Sequence, residues 1–79
     1  MDIFVVCVTK KETLSVYNLF LAKLGSEVSK FDKKDLSVCW RGVHFHFVTD
    51  EEYYYIVKGR RNCYSIYGLQ LEKLLDAIQ

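Results

Sequence analysis

Seventy-nine residues, 51% hydrophobic and 15% aromatic, suffice for one packed core and are too apolar for a disordered chain. Eleven basic against ten acidic side chains leave a formal charge of +1, so no global field draws the chain to nucleic acid or to an acidic membrane. No stretch nears the ~18 uninterrupted apolar residues of a membrane span. Met1-Asp2-Ile3-Phe4 also lacks the basic flank and cleavage site of a signal peptide. The expectation is a single soluble, cytoplasmic domain over residues 1–79. Cys7, Cys39 and Cys63 are odd in number and widely spaced, without a CxxC pair, which predicts reduced thiols, with Cys7 in the core.

Ile3 to Val8 form an apolar, β-branched run without strict alternation, which predicts a central strand covered on both faces. Thr9-Lys10-Lys11-Glu12 fits a capping box in which Thr9 caps a helix and Glu12 reaches back. The helix carries Leu14, Tyr17, Leu21 and Leu24 at helical spacing, widened by Val16, Leu19 and Phe20, and Gly25 suits its end. Lys10 and Lys11 oppose the positive end of the helix dipole, a small local cost that a functional role could offset. Residues 26–34 read as polar and irregular. Leu36, Val38 and Trp40 then alternate with Ser37 and Cys39, and Val43, Phe45 and Phe47 alternate with His44 and His46. Arg41-Gly42 between them predicts a two-residue hairpin turn.

Thr49 to Gly59 admits two readings. Tyr53-Tyr54-Tyr55-Ile56-Val57 has strand propensity, whereas Thr49 with Glu52 makes a second capping box. Asp50, Glu51 and Glu52 suit a first turn, and Lys58 and Gly59 suit a helix end. A short helix is the preferred reading. Cys63 to Tyr67 predicts a strand, and after Gly68 a last helix places Leu71, Leu74, Leu75 and Ile78 on one face. The order is β-α-β-β-α-β-α, an α/β domain with a mixed four-stranded sheet and helices packed on it. If residues 53–57 are a strand, the order is β-α-β-β-β-β-α and the class is α+β.

Several constellations could carry function. With Arg41-Gly42 as the turn, Cys39, His44 and His46 share one hairpin face, a conceivable zinc or copper set that lacks an evident fourth ligand. A polar strand face explains the same pattern, so the expectation is no metal and no cofactor. Cys–His catalysis would also need an orienting group and an oxyanion hole, and neither is identifiable. The expectation is a protein that is not an enzyme. Lys58-Gly59-Arg60-Arg61-Asn62 sets three cations around a glycine, close in sequence to Tyr53, Tyr54, Tyr55, Tyr64 and Tyr67. That mixture suits an acidic protein surface or single-stranded nucleic acid, and equally a solvated connection beside core-rim tyrosines. Trp40-Arg41 at the hairpin tip pairs two residue types enriched at interface hot spots, although a tryptophan there can simply cap the core. The first strand–helix junction, Val8-Thr9-Lys10-Lys11-Glu12-Thr13, has no glycine, so neither GxxxxGK[ST] nor GxGxxG is present.

Phe47-Val48-Thr49-Asp50, Gly59-Arg60-Arg61 and Ser65-Ile66-Tyr67-Gly68-Leu69 carry a resemblance. With them, the stretch from His44 to Leu75 resembles small accessory proteins of bacteriophages and mobile elements. Its strand–helix–Gly-Arg–strand rhythm is similar to part of a phage P-loop ATPase-type fold. The missing phosphate loop argues against ATPase activity. The resemblance implies a viral protein that binds and inhibits or redirects a host protein. The functional expectation is therefore a non-catalytic protein-binding module contacting its partner through Trp40, Arg41, Lys58, Arg60, Arg61 and Tyr64. The alternative is a small nucleic-acid binder using the loop from Lys58 to Arg61. Membrane association is not expected, and an edge strand leaves homodimerisation open.

Overall fold

A computed structural model describes residues 2–58, 64–68, 70, 71 and 73. The first strand, β1 (Asp2–Cys7), is central as its apolar run predicts, and Phe4, Val5, Val6 and Cys7 are all buried. It leads into α1 (Lys10–Leu24), where Thr9 Oγ1 accepts the Glu12 N–H at 3.1 Å. Only that half of the expected capping box forms among the described residues. Gly25 ends the helix at φ 53°, where its N–H donates to the Leu21 carbonyl. A 3-10 turn over Gly25–Glu27 follows.

The sheet has five strands, not four. The additional one, β2 (Val28–Asp32), occupies much of the segment read as irregular from sequence. It pairs antiparallel with β3 (Ser37–Trp40), with a bulge between Val28 and Lys30. As an edge strand it exposes every side chain but that of Val28, so it carries no hydrophobic alternation. Its backbone pairing holds it instead, helped by Ser29 Oγ donating to the Cys39 carbonyl at 3.1 Å. Asp32 Oδ1 accepts the Lys34 and Asp35 N–H groups at 2.9 and 3.2 Å, which folds the chain back towards β3.

The expected hairpin joins β3 to β4 (Val43–Thr49), with Trp40 opposite Val43 and Cys39 opposite His44. Arg41 and Gly42 sit at φ 51° and 78°, the positive values that a two-residue hairpin turn of primed type requires. The segment with two readings is a helix, α2 (Asp50–Val57). Both bonds of its capping box form: Thr49 Oγ1 accepts from Glu52 N at 3.2 Å, and Glu52 Oε1 accepts from Thr49 N at 3.1 Å. The strand β5 (Tyr64–Tyr67) then pairs parallel with β1. Gly68, Gln70, Leu71 and Lys73 have helical backbone. The rest of the expected last helix, including Leu74, Leu75 and Ile78, lies outside the described residues.

The resulting order, β2-β3-β4-β1-β5, is a mixed sheet with β1 parallel to both its neighbours. The fold is α/β. The helices pack on opposite faces. On one, Val16, Tyr17, Phe20 and Leu24 of α1 meet Val5, Cys7, Val38, Trp40, Phe45 and Phe47. On the other, Tyr53 of α2 meets Phe4, Val6 and Val48. The buried stripe of α1 differs from the expected one. Thr13 is fully buried while Leu14 is 50% exposed. The bulk of Tyr17 and Phe20 sets the rotation of the helix, and the Thr13 hydroxyl meets its hydrogen-bonding need locally by donating to the Lys10 carbonyl.

Candidate functional site

In open α/β sheets, ligands favour the crevice at the carboxyl ends of strands whose following helices leave on opposite faces. Here that place is the end of β1 and β4, where α1 and α2 begin. Thr9 holds extended backbone with φ −120°, and its side chain already caps α1. Neither the β1–α1 nor the β4–α2 junction has a glycine to bring backbone amides outwards, as the sequence of the first junction implies. Across the crevice, Lys10 Nζ pairs with Glu52 Oε2 at 3.2 Å. Glu52 Oε1 also accepts the Thr49 hydroxyl at 3.0 Å. These bonds, led by the backbone N–H of Thr49, hold the Glu52 carboxyl below the ordinary carboxylate range. Burial, with Glu12 and Asp50 nearby, pushes the Cys7 thiol up to about 11. Cys7 is therefore a neutral thiol near pH 7 and serves packing. A side chain on Gly68 would meet Cys7 Sγ at 3.0 Å and Val16 Cγ2 at 3.3 Å, so glycine lets the segment after β5 close on this end of the core.

The Glu52 carboxylate gives a pH-dependent prediction. Its folded pKa is depressed, so its contribution to stability is fully present above the ordinary value of 4.5 and is lost as pH falls through the lower folded value. Glu52→Gln keeps an oxygen for the cap but removes the charge that pairs with Lys10 and faces the helix N-terminus, so it should cost about 0.5–1 kcal/mol near neutrality. Denaturant melts should show that difference shrinking below about pH 4.5. A difference unchanged down to pH 3 would remove this role.

The hairpin brings Cys39, His44 and His46 to one face, as expected, and the side of the sheet opposite α1 leaves that face open. His46 is already engaged. Its Nε2 lies 2.9 Å from Asp2 Oδ1, and its ring stacks on Phe4 at 5.0 Å. The His46 hydrogen bond also holds the Asp2 carboxyl below its ordinary range. His44 and His46 have ring centroids 6.4 Å apart. No three His, Cys, Asp or Glu side chains among the described residues are spaced to hold a metal ion. Cys7 and Cys39 are free thiols, and Cys63 lies outside the described residues.

At the hairpin tip, Trp40 is a core side chain, only 8% exposed, edge-on to Phe20 at 6.2 Å. Its Nε1 donates to Glu27 Oε2 at 3.4 Å. Arg41 covers the indole at 4.7 Å and lies 3.7 Å from Glu27 Oε1. The indole thus caps the core, and Arg41 is the exposed member of the pair. Lys58 is exposed at the end of α2. Gly59, Arg60, Arg61 and Asn62 lie outside the described residues. Tyr64 enters β5 opposite Ile3.

The sequence groups Tyr54 and Tyr55 with the tyrosines near the basic segment without saying which of them face solvent, and it gives no sign of a second exposed feature. Tyr54 and Tyr55 stand 62% and 68% exposed on the outer side of α2, with their rings edge-to-face at 5.5 Å. The helical period would have found them, because Tyr53 points inward and its two successors must then point away. The second is a lysine-lined groove between α1 and the turn after β2, formed by segments that only the sheet order brings together. No helix among the described residues is long and apolar enough to cross a membrane. No protein-family model, curated protein or solved structure matches the chain.

Proposed function

We propose that this chain is a non-catalytic protein-binding module that recognises its partner through the outer side of α2, together with the basic residues Lys58 to Arg61 that follow it in sequence. The observation that carries the reading is the Tyr54–Tyr55 pair. Two adjacent large aromatic rings lie in solvent on a capped, well-anchored helix, where a polar residue would serve folding equally well. Tyrosine on a rigid element is an economical recognition residue, since it covers much area while losing little conformational entropy. Arginines following such a helix add bidentate donors for carboxylates. In the form suggested by the resemblance to phage accessory proteins, the partner is a host protein whose activity the chain inhibits or redirects.

Affinity capture from host extract, quantified by mass spectrometry, tests this reading. Tyr54→Ala combined with Tyr55→Ala should weaken capture of the partner by at least about thirtyfold, the scale of a hot spot, while melting stays near wild type because both rings are exposed. Arg60→Glu with Arg61→Glu should act in the same direction. Capture unchanged by both double variants would reject the assignment. A low-salt mobility shift that is abolished by the arginine variant and untouched by the tyrosine one would favour a nucleic-acid binder instead.

A further inference from the structure

We infer that the groove between the first turn of α1 and the turn joining β2 to β3 docks an acidic protein segment bearing an aliphatic side chain. The groove, about 400 Å³, is lined by Lys10, Lys11, Leu14, Lys33, Lys34 and Leu36. Four of these six carry ammonium groups and none carries a carboxylate. Lys10 pairs with Glu52, and no ion pair forms at Lys11, Lys33 or Lys34 among the described residues. The acidic residues beside the turn form no ion pair with these lysines among the described residues. Asp32 Oδ1 is engaged by the turn's own N–H groups, and Asp35 lines a different groove, with His46 and Glu52. Gathering four like charges costs free energy, and Lys10 and Lys11 also face the positive end of the α1 dipole. An anionic partner reverses the sign of both terms.

The floor identifies the kind of anion. Leu14 is half exposed between the lysines, and Leu36, at φ 50°, is buried beneath them with its carbonyl accepting the Phe47 N–H at 3.0 Å. A nucleic-acid strand gains most from aromatic stacking and from arginine forks on its phosphates, and this groove contains neither. A peptide with carboxylates flanking one aliphatic side chain satisfies both the lysines and Leu14. The Lys10–Glu52 pair ties the rim of the groove to the first turn of α2, and the inference rests on the protein-binding reading above.

The test is titration of the 15N-labelled full chain with three probes. These are a short peptide of Asp and Glu with a central Leu, the same peptide with Ala in place of Leu, and single-stranded oligodeoxythymidine of similar length. Amide shifts should concentrate at residues 10–14 and 33–36 with the Leu peptide. Affinity should fall about threefold or more with the Ala peptide, and about tenfold when Lys33→Glu and Lys34→Glu are combined. Both lysines are exposed, so the variant should keep the wild-type spectrum elsewhere. Shifts absent from these residues, equal binding of the two peptides, or tighter binding of the oligonucleotide would overturn the inference. The Tyr54→Ala, Tyr55→Ala protein should still bind the Leu peptide, so a failure of the α2 assignment is distinguishable from a failure of the groove.

Discussion

Phe20→Ala should destabilise the protein by about 3–5 kcal/mol. Phe20 is fully buried, and its ring meets three others: Phe45 at 4.9 Å, Phe47 at 5.5 Å and Trp40 at 6.2 Å. Through these rings α1 meets both strands of the hairpin. Removing it leaves a void that flat rings on a paired sheet fill poorly, so the cavity cost adds to the lost transfer energy. A domain of this size has roughly 5 kcal/mol or little more in hand. Far- and near-ultraviolet circular dichroism at room temperature should therefore show a largely unfolded or molten chain. Phe20→Leu, which keeps most of the volume, should remain folded with a loss of about 1–2 kcal/mol. If Phe20→Ala melted like the wild type, the α1–hairpin core described above would be misassigned.

Tyr17→Phe should do the opposite and raise stability by about 1 kcal/mol. Tyr17 is fully buried, edge-on to Phe47 at 5.4 Å, and its hydroxyl has no hydrogen-bond partner among the described residues. A buried donor left unpaired costs its desolvation, and removing the oxygen returns that cost while keeping the ring. Burial, with the Asp32 charge next in size, raises the phenol's pKa above its ordinary value of 10. The protonated folded state is therefore favoured below pH 10, and that stability is lost as pH climbs through the folded value. The wild type should lose stability in that alkaline range faster than Tyr17→Phe. Paired chemical melts at pH 7 and above pH 10 measure both effects, and a destabilised phenylalanine variant at pH 7 would mean that the hydroxyl is bonded.

What could be read from the chain follows from where side chains go. β1, the β3–β4 hairpin and α1 were legible because burial on one or both faces imposes a pattern on the residues. α2 was legible despite its strand-prone tyrosines because Thr49 and Glu52 satisfy its first amides on both sides of the cap. β2 was not, because an edge strand is held through its backbone while Ser29, Lys30, Phe31 and Asp32 face solvent. Leu14 was misplaced because spacing alone does not say which of two overlapping stripes turns inward. Thr13 took the buried position through a hydroxyl bond that composition does not announce. The meeting of Lys10 and Lys11 with Lys33 and Lys34 was illegible for a topological reason. It exists only because α1 delivers the chain to the far edge of the sheet, from which the turn after β2 returns.

The central position of β1 also orders events in time. Both of its neighbours, β4 and β5, are made from residue 43 onwards, so β1 leaves the ribosome well before either strand that pairs its edges. Until then its apolar residues have only α1 to cover one side, and its backbone donors and acceptors stand open to any passing strand. Such sequence-distant pairing slows folding relative to a helical domain of equal length. The interval before Val43 emerges is when this chain is most exposed to aggregation.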